Sequence, residues 1–406
     1  MNPVSRFFAG MSLRPQGLTL IAAGFLPVFA IVTMFPIVAA MIRHFGNDPA
    51  AASKVPLMVT APGLTVALLS PFAGLIVDRF GRRRLLLVST LLYGALGSAP
   101  FLLDNINQIF ATRLLLGACE AGILTIVNTL IADYWDDTGR KNWLFVQGFV
   151  GTFFGSAAML ASGLIAGVRW NGGFLIYLVA FPIFAAMLAF IYEPRPKDHR
   201  PKDHGPDAPT PATTPFPWIE AVAVVLVTFS ASALYYLFIV NGSIAFAEIG
   251  VSDPAELSRL TYVPSLFVML GAVIFRILAQ RSNAVQLTAF LLFLGTGLVG
   301  VGMAKSLPAM ILAVTVQQIG AGMAVPTLIA WAQTKFTFEH RGRGMGAWTS
   351  AFFMGQFASA WVANTLAQTA GSMRGGFLIA GMIAVACCGA VVLWGLMGRG
   401  KARFAV

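Results

Sequence analysis

Charged residues and cysteines are both scarce in this sequence. Asp, Glu, Lys and Arg make up 11% of its 406 residues, whereas a soluble domain carries about 25%, so a soluble globular protein is excluded. The three cysteines show no C-x-x-C spacing, which predicts neither a disulfide framework nor a zinc site. No histidine lies in the middle of an apolar stretch, and no Ser or Cys there has a base nearby in sequence. We therefore expect no enzyme, no metal and no cofactor.

Apolar residues dominate what is present. They make up 57% of the chain, and the mean hydropathy is +0.78. Twelve apolar stretches are long enough to cross a bilayer, the first at about 18–42 and the last at about 375–398. The sequence therefore predicts an all-α membrane protein with twelve transmembrane helices. Glycine and proline inside several stretches are compatible with this fold, because neighbouring helices satisfy the backbone groups that these residues leave unpaired.

Basic residues are distributed unevenly among the loops. With twelve spans both termini lie on one side, and twenty of the 27 Lys and Arg residues then fall on that side. Because basic loops stay in the cytoplasm, we expect a multi-pass protein of the cytoplasmic (inner) membrane with both termini cytoplasmic. Topology then explains the net charge of +11, and we expect the lipid bilayer, not nucleic acid, as the partner of these charges.

The chain divides once, at a Pro-rich and charged segment. Residues 193–217 contain the repeated pentad Arg-Pro-Lys-Asp-His, which predicts a cytoplasmic linker. An N-terminal six-helix bundle at 1–192 and a C-terminal six-helix bundle at 218–406 then lie on either side. Six spans in each half predict a protein built from two repeated units.

The two halves echo each other in sequence. Arg169 stands before Gly-Gly-Phe at the start of the sixth span, and Arg374 stands before Gly-Gly-Phe at the start of the twelfth. The fourth and tenth spans carry matching tracks of small residues, at 117–122 and 320–322, which predict close helix packing. Such echoes are typical of parallel repeats related by an axis along the membrane normal, so we expect the bundles to be pseudo-symmetric.

The most distinctive motif lies between the second and third spans. Residues 74–84 read Gly-Leu-Ile-Val-Asp-Arg-Phe-Gly-Arg-Arg-Arg and fill every fixed position of the pattern G-x-x-x-D-R-x-G-R-[RK]-[RK]. The loop resembles the signature of the major facilitator superfamily, and the resemblance covers both halves apart from the linker. It implies the major facilitator fold, in which two six-helix bundles rock about a central substrate site.

The resemblance also implies a mechanical role for this loop, which in the family latches the two bundles in the outward-facing state. Asp78 would be the latch acid, facing the positive N-terminus of another helix. Gly74 would permit close packing, and the arginines would hold the turn. The implied latch comprises Gly74, Asp78, Arg79, Gly81, Arg82 and Arg83. The matching stretch of the second half, 271–281, has no Asp, so we expect a single complete latch.

Within the superfamily the nearest resemblance is to the twelve-span drug:proton antiporters. The fourth span begins Arg113-Leu-Leu-Leu-Gly117, similar to the R-x-x-x-G motif of that group. The fifth span lacks the group's G-P-x-x-G-G motif and keeps only spaced glycines, at 148, 151 and 155, which leaves the direction of transport open. We expect proton-coupled efflux of an amphipathic small molecule by a monomer, with uptake or facilitated transport of an organic anion as the alternative.

Ionisable groups at bilayer depth are costly and therefore point to function. Glu120 is the central acidic residue, and Arg113 lies seven residues earlier on nearly the same helix face. A carboxyl that alternately meets water and hydrocarbon can take up and release a proton, which predicts proton coupling through Glu120 and Arg113. Two alternatives are a static buried network and an anion site at Arg113.

Uncharged polar and aromatic residues within the spans are candidates for lining a substrate cavity. The same residue types also join helices by hydrogen bonds, so each candidate has a structural alternative. We prefer Tyr235 and Gln318 as a pair. The candidates are Asn128, Tyr235, Tyr236, Asn241, Gln317, Gln318, Trp348, Gln356 and Trp361. A channel is not expected, because no ring of charges or filter repeat is present.

Overall fold

The computed structural model describes residues 15–72, 79, 81–134, 137–193, 215–337 and 339–403, and within these ranges the chain is helical without strands. Most of the predicted linker, 194–214, lies outside the described residues. The boundaries of the linker and of the two domains therefore stay predictions. We call the side of the membrane protein on which the first helix begins the terminal side, and the opposite side the far side.

Within the described residues, six helical segments make up the first bundle. They are α1 (Pro15–His44), α2 (Ala51–Phe72), α3 (Arg82–Phe101), α4 (Ile106–Tyr134), α5 (Asp137–Val168) and α6 (Gly172–Phe190). The α-helical geometry of α1 is interrupted by a 3₁₀ turn at Phe35–Ile37. Pro36 lies in this turn, and a proline inside a helix removes one backbone donor and crowds the preceding turn.

Six further helices make up the second bundle. They are α7 (Trp218–Ala247), α8 (Pro254–Leu278), α9 (Asn283–Met303), α10 (Leu307–Gln333), α11 (Arg341–Ala370) and α12 (Met373–Arg403). Eleven of the twelve segments are long and apolar enough to cross a membrane. The exception is α11, which is 30 residues long but carries Arg341, Arg343 and many polar side chains. The predicted twelve-helix fold in two bundles is confirmed.

Small residues bring the helices of each bundle close together, as the tracks in the sequence predict. A side chain at Gly117 of α4 would collide with the backbone of Pro62 on α2. At the matching place in the second bundle, a side chain at Gly322 of α10 would collide with the backbone of Val268 on α8. The fourth helix of each half therefore packs against the second helix of that half through a glycine.

The arginine and the Gly-Gly-Phe sequence that follows it form a corner on the far side of each bundle. Arg169 lies over the ring of Phe101 at the end of α3, 4.7 Å from its centroid. Arg374 donates a hydrogen bond to the carbonyl of Ala304 after the end of α9. Each arginine thus ties the start of the last helix of its bundle to the end of the third helix, which agrees with the predicted pseudo-symmetry.

The two bundles contact each other on the far side. Arg43 of α1 donates a hydrogen bond of 2.8 Å to the carbonyl of Ser252, in the loop between α7 and α8. Gly163 of α5 lies against Pro254 and Ser258 of α8 so closely that a Cβ atom at Gly163 would overlap both residues. The far-side ends of α5 and α8 therefore form a seam that only very small residues permit.

Candidate functional site

A cavity of about 460 Å³ lies between the two bundles. Its wall in the first bundle comes from α1, α4 and α5, and its wall in the second bundle comes from α7, α8 and α10. The lining residues are Gly24, Phe25, Val28, Val32, Phe35, Leu124, Gly151, Thr152, Gly155, Ser156, Met159, Tyr235, Phe238, Ile239, Thr261, Ser265, Val268, Gln318 and Ala321. This volume falls within the range of about 300–1,000 Å³ that is usual for small-molecule sites.

The cavity wall is mainly apolar and contains several aromatic rings. Phe35 of α1 and Phe238 of α7 meet across the bundle interface with ring centroids 5.5 Å apart. Tyr235 lies one turn from Phe238 on the same helix. Among the described residues, no Asp, Glu, Lys, Arg or His lines the cavity. The site therefore offers stacking surfaces and uncharged polar groups to a bound molecule.

A hydrogen bond crosses the cavity between the two bundles. The hydroxyls of Ser156 on α5 and Ser265 on α8 are 2.7 Å apart, and Ser265 also donates to the carbonyl of Tyr262 at 2.6 Å. Both serines line the cavity. The pair stands on the terminal side of the glycine seam at Gly163, because α5 runs toward the far side. It joins the bundles within the cavity, seven residues from Gly163 along α5 and seven residues from Ser258 along α8.

The structure brings only two of the predicted lining residues to this cavity, and they are the preferred pair. Tyr235 of α7 and Gln318 of α10 are half-buried and face it from the second bundle. The interpretation of their role stays a prediction. The other candidates lie elsewhere, namely Asn128, Tyr236, Asn241, Gln317, Trp348, Gln356 and Trp361.

Trp361 does not face this cavity, since 65% of its surface is exposed on the outside of α11. Phe352, on the buried face of the same helix, is nine residues away. At 100° per residue this separation places the two side chains on opposite sides of the helix. Trp361 therefore points away from the bundle interior, and an aromatic ring at that position suits contact with lipid.

Four other candidates, all on helices of the second bundle, are buried. Gln317 is fully buried and Asn241 is 1% exposed, and Trp348 and Gln356 are also buried. The side chain of Gln356 packs against Gly63 of α2. Polar atoms of all four lack a hydrogen-bond partner among the described residues. These residues pack helices together in this conformation and do not line the cavity.

Arg113 ties α4 to its neighbours in the first bundle. Its guanidinium donates to the hydroxyl of Tyr177 at 2.9 Å and to the carbonyls of Leu96 and Gly97 at 3.2 and 2.9 Å. The rings of Phe174 and Tyr177 lie 5.1 and 4.9 Å from its central carbon. With 1% of its surface exposed, Arg113 does not face the cavity, so the geometry gives no support to an anion site there.

Glu120 is buried in α4 and forms no ion pair within the described chain. Only 3% of its surface is exposed, and its Oε1 atom has no hydrogen-bond partner among the described residues. Of the ion pairs within 4.0 Å in the described chain, none contains Glu120 or Arg113. Glu120 nevertheless interacts electrostatically with Arg113 on the same helix, with Tyr93 and Tyr177 of the first bundle and with Tyr236 of the second.

One face of α4 connects Glu120 with the cavity. Leu124, four residues later, lines the cavity, and Asn128, another four residues later, is exposed. Residues four apart lie nearly above each other, about 6 Å apart along the axis. Glu120 therefore lies one turn beyond the cavity wall toward the far side, and Asn128 lies one turn toward the terminal side.

The predicted latch is described only in part. Gly74 and Asp78 lie outside the described residues. Gly81 has a φ of +80°, a backbone conformation that glycine adopts without strain, and it precedes the first turn of α3. Arg79 is helical and exposed. The role of the loop as a latch stays a prediction.

A residue that the sequence did not single out holds the second part of this loop. The carboxylate of Glu193, after the end of α6, accepts hydrogen bonds from the backbone N–H groups of Arg82 and Arg83 at 2.9 and 2.7 Å. The side chain of Arg83 donates back to the carbonyls of Ile191 and Leu188. A negative group at a helix N-terminus satisfies unpaired donors and is favoured by the helix dipole.

The fold and the cavity together define the class of protein. Two pseudo-symmetric bundles of six membrane helices with a cavity at their interface are the architecture of a secondary transporter for small molecules. The chain belongs to the Major Facilitator Superfamily, whose family model matches residues 20–252 and 224–403. It is therefore a multi-pass integral membrane transporter.

Two relatives match about a third of this chain at low identity. The niacin transporter NiaP of Acinetobacter baylyi is 25% identical over 141 residues, which cover 34% of this chain and 31% of NiaP. The efflux pump dotC of Dothistroma septosporum is 30% identical over 141 residues, which cover 34% of this chain and 23% of dotC. The chain thus matches about a third or less of the length of these two relatives.

Solved structures match over almost the whole chain. The nucleoside transporter NupG has a TM-score of 0.72 at 9% identity, covering 93% of this chain and 99% of the NupG chain. The human organic anion transporter MFSD10 has a TM-score of 0.69 at 15% identity, covering 94% of this chain and 100% of the MFSD10 chain. At such identities the likeness shows a shared fold.

Proposed function

We propose that this protein exports an amphipathic small molecule in exchange for protons, and that Glu120 is the carboxyl that takes up and releases the proton. The cavity between the bundles would open alternately to the two sides of the cytoplasmic membrane, with both termini in the cytoplasm and the protein working as a monomer. The observation that carries the proposal is the burial of Glu120 without a partner for its Oε1 atom among the described residues.

The cost of burying charge gives Glu120 two states. A carboxylate withdrawn from water costs several kcal/mol unless a cation or several donors compensate it. Arg113 acts on Glu120 electrostatically, but it forms no ion pair with it within 4.0 Å, and its guanidinium is bonded to neutral acceptors. The neutral carboxyl is therefore favoured in this conformation. When a conformational change admits water, hydration lowers the free-energy cost of the carboxylate. Each cycle of hydration and burial would therefore move one proton.

The position of Glu120 suits coupling through the cavity. Glu120 does not line the cavity, but Leu124, one helical turn away, does. A substrate against Leu124 would shield this face of α4, and water that replaces the substrate would approach the carboxyl along the same face. Glu120 would then bind a proton and Leu124 would contact the substrate in alternation, as exchange requires.

The direction of export is supported by the similarity to the efflux pump dotC, although the niacin transporter NiaP is also similar. The organic anion alternative, with Arg113 as its site, would require a guanidinium that faces the substrate. Arg113 instead donates to Tyr177, Leu96 and Gly97 within the first bundle. Export of a molecule that does not need a cationic site is the better match to this geometry.

The test is proton movement in proteoliposomes. The parent protein and Glu120→Gln would be reconstituted with trapped pyranine, a pH gradient would be imposed, and Nile red, ethidium or fluorescein would be added as an uncharged, cationic or anionic probe. We expect at least one probe to speed the collapse of the gradient in the parent. In Glu120→Gln the collapse should return to the rate of protein-free liposomes, because a glutamine side chain cannot carry the proton.

Glu220→Gln is the matched control, since Glu220 is exposed in the first turn of α7. This variant should collapse the gradient as the parent does. Probe-driven collapse that survives in Glu120→Gln would exclude Glu120 as the coupling group. A parent protein that responds to none of the three probes would contradict proton-coupled export.

A further inference from the structure

We infer that the central cavity takes an uncharged, mainly apolar compound with hydrogen-bonding groups along one edge, and that Tyr235 and Gln318 recognise that edge. The inference rests on the proposed function only in treating this cavity as the substrate site. It specifies the substrate class and the residues that determine specificity.

The absence of charge from the described wall decides against an ionic substrate. No charged side chain is among the described lining residues, and neither Arg113 nor Glu120 lines the cavity. An ion that entered the cavity would lose much of its hydration without gaining a counter-charge, which is strongly unfavourable. An uncharged molecule loses little on entering and gains apolar contacts.

The hydrogen-bonding state of the polar lining groups identifies the two residues that remain available. Ser156 and Ser265 are bonded to each other, and Thr261 donates to the carbonyl of Leu257 at 2.7 Å. Thr152 also has an interaction partner. Within the described chain, neither the hydroxyl of Tyr235 nor the amide of Gln318 takes part in a hydrogen bond, although both side chains are half-buried at the cavity.

These two groups are on the same side of the cavity. Tyr235 is on α7 and Gln318 is on α10, both in the second bundle, so they offer a hydroxyl and an amide to the same edge of a ligand. The opposite wall presents Phe25, Val28 and Met159 from the first bundle. Aromatic rings favour stacked or edge-on contact with another ring. A flat molecule would therefore place its apolar face on the first bundle and its polar edge toward the second.

Binding to the purified, detergent-solubilised full chain tests this without a proton gradient. Isothermal titration calorimetry would compare four ligands on one scaffold, namely 2-naphthalenemethanol, 2-naphthoate, 2-naphthylmethylamine and 2-methylnaphthalene, each corrected by titration into detergent alone. We expect the alcohol to bind more tightly than the hydrocarbon, and both to bind at least about tenfold more tightly than either ion, since the site lacks a compensating charge.

Variants then test the two residues. Tyr235→Phe and Gln318→Leu should each weaken binding of the alcohol by about fivefold, as expected for one lost hydrogen bond, and leave 2-methylnaphthalene unchanged. Unchanged binding of the hydrocarbon also shows that the variants are folded. Tyr236→Phe is the matched control, because Tyr236 is adjacent in sequence but does not line the cavity; it should bind all four ligands as the parent does.

Two results would overturn the inference. One is binding of the carboxylate or the ammonium ion as tight as that of the alcohol. The other is an unchanged preference for the alcohol in both Tyr235→Phe and Gln318→Leu. If the parent and the two variants bind as expected while probe-driven proton movement fails in proteoliposomes, the proposed coupling is contradicted and the inference about the cavity stands.

Discussion

Arg113 donates a hydrogen bond of 2.9 Å to the hydroxyl of Tyr177, and that hydroxyl donates in turn to the carbonyl of Ala30 at 2.9 Å. The three residues belong to α4, α6 and α1. A buried guanidinium therefore fastens three helices of one bundle through a chain of neutral acceptors. This arrangement resembles a structural network more than a binding site. We therefore expect Arg113 to contribute to the stability of the fold.

Replacing Arg113 by Met should lower the free energy of unfolding by about 1–3 kcal/mol, because the carbonyls of Leu96 and Gly97 lose a buried donor. Arg113→Lys should not restore stability, since an ammonium group cannot reproduce the planar fork that reaches all three acceptors. Thermal unfolding in detergent, followed by circular dichroism, measures both variants. A melting temperature equal to that of the parent in Arg113→Met would argue against the structural role.

Glu193 should stabilise the junction of α6 and α3. Glu193→Ala removes two acceptors from the first turn of α3 and should cost about 0.5–2 kcal/mol, the range for loss of a helix N-cap. Raising the salt concentration should only slightly narrow the difference in unfolding free energy between Glu193→Ala and the parent. The hydrogen bonds of the parent persist when long-range attraction is screened. Glu220→Ala, at an exposed site with no hydrogen bond among the described residues, serves as the control and should unfold like the parent.

The glycine seam between α5 and α8 should control opening of the far side. Gly163→Val forces these helices apart, because Ser258 and Pro254 leave no space for a side chain. In a background without Cys119, Cys387 and Cys388, a single cysteine at Thr261 should then react faster with a membrane-impermeant maleimide added from the far side.

Gly346→Val is the matched control for this experiment, since nothing lies within 4 Å of a Cβ atom at Gly346. Its labelling rate should equal that of the parent background. Equal rates in Gly163→Val and the parent background would mean that the seam does not govern access. Transport by Gly163→Val should also be slower, because alternating access requires the far side to close again.

The sequence predicted the fold well because its signals act locally. Each signal can be recognised within a short stretch of sequence. These signals are the apolar runs of the right length, the glycine tracks and the charged loop. Gly117 and Gly322 show this clearly, since their spacing alone predicted the close helix contacts that Pro62 and Val268 complete.

The site was predicted less fully because lining a cavity depends on helix rotation. Tyr235 and Gln318 line the cavity, and their role in binding stays a prediction. Trp361 was chosen by the same criterion, an aromatic or polar residue within a span, but it lies on the exposed face of its helix. Glu193 was missed because it stands at the start of a polar segment that looks like a spacer, and its partner Arg83 is 110 residues away. A single sequence contains no local signal for such a contact.

The corners at Arg169 and Arg374 have a consequence for which contacts the fold requires. Both guanidinium groups close the same turn of their half, yet one rests on an aromatic ring and the other on a carbonyl oxygen. The shape of this joint therefore does not depend on one kind of partner for the arginine.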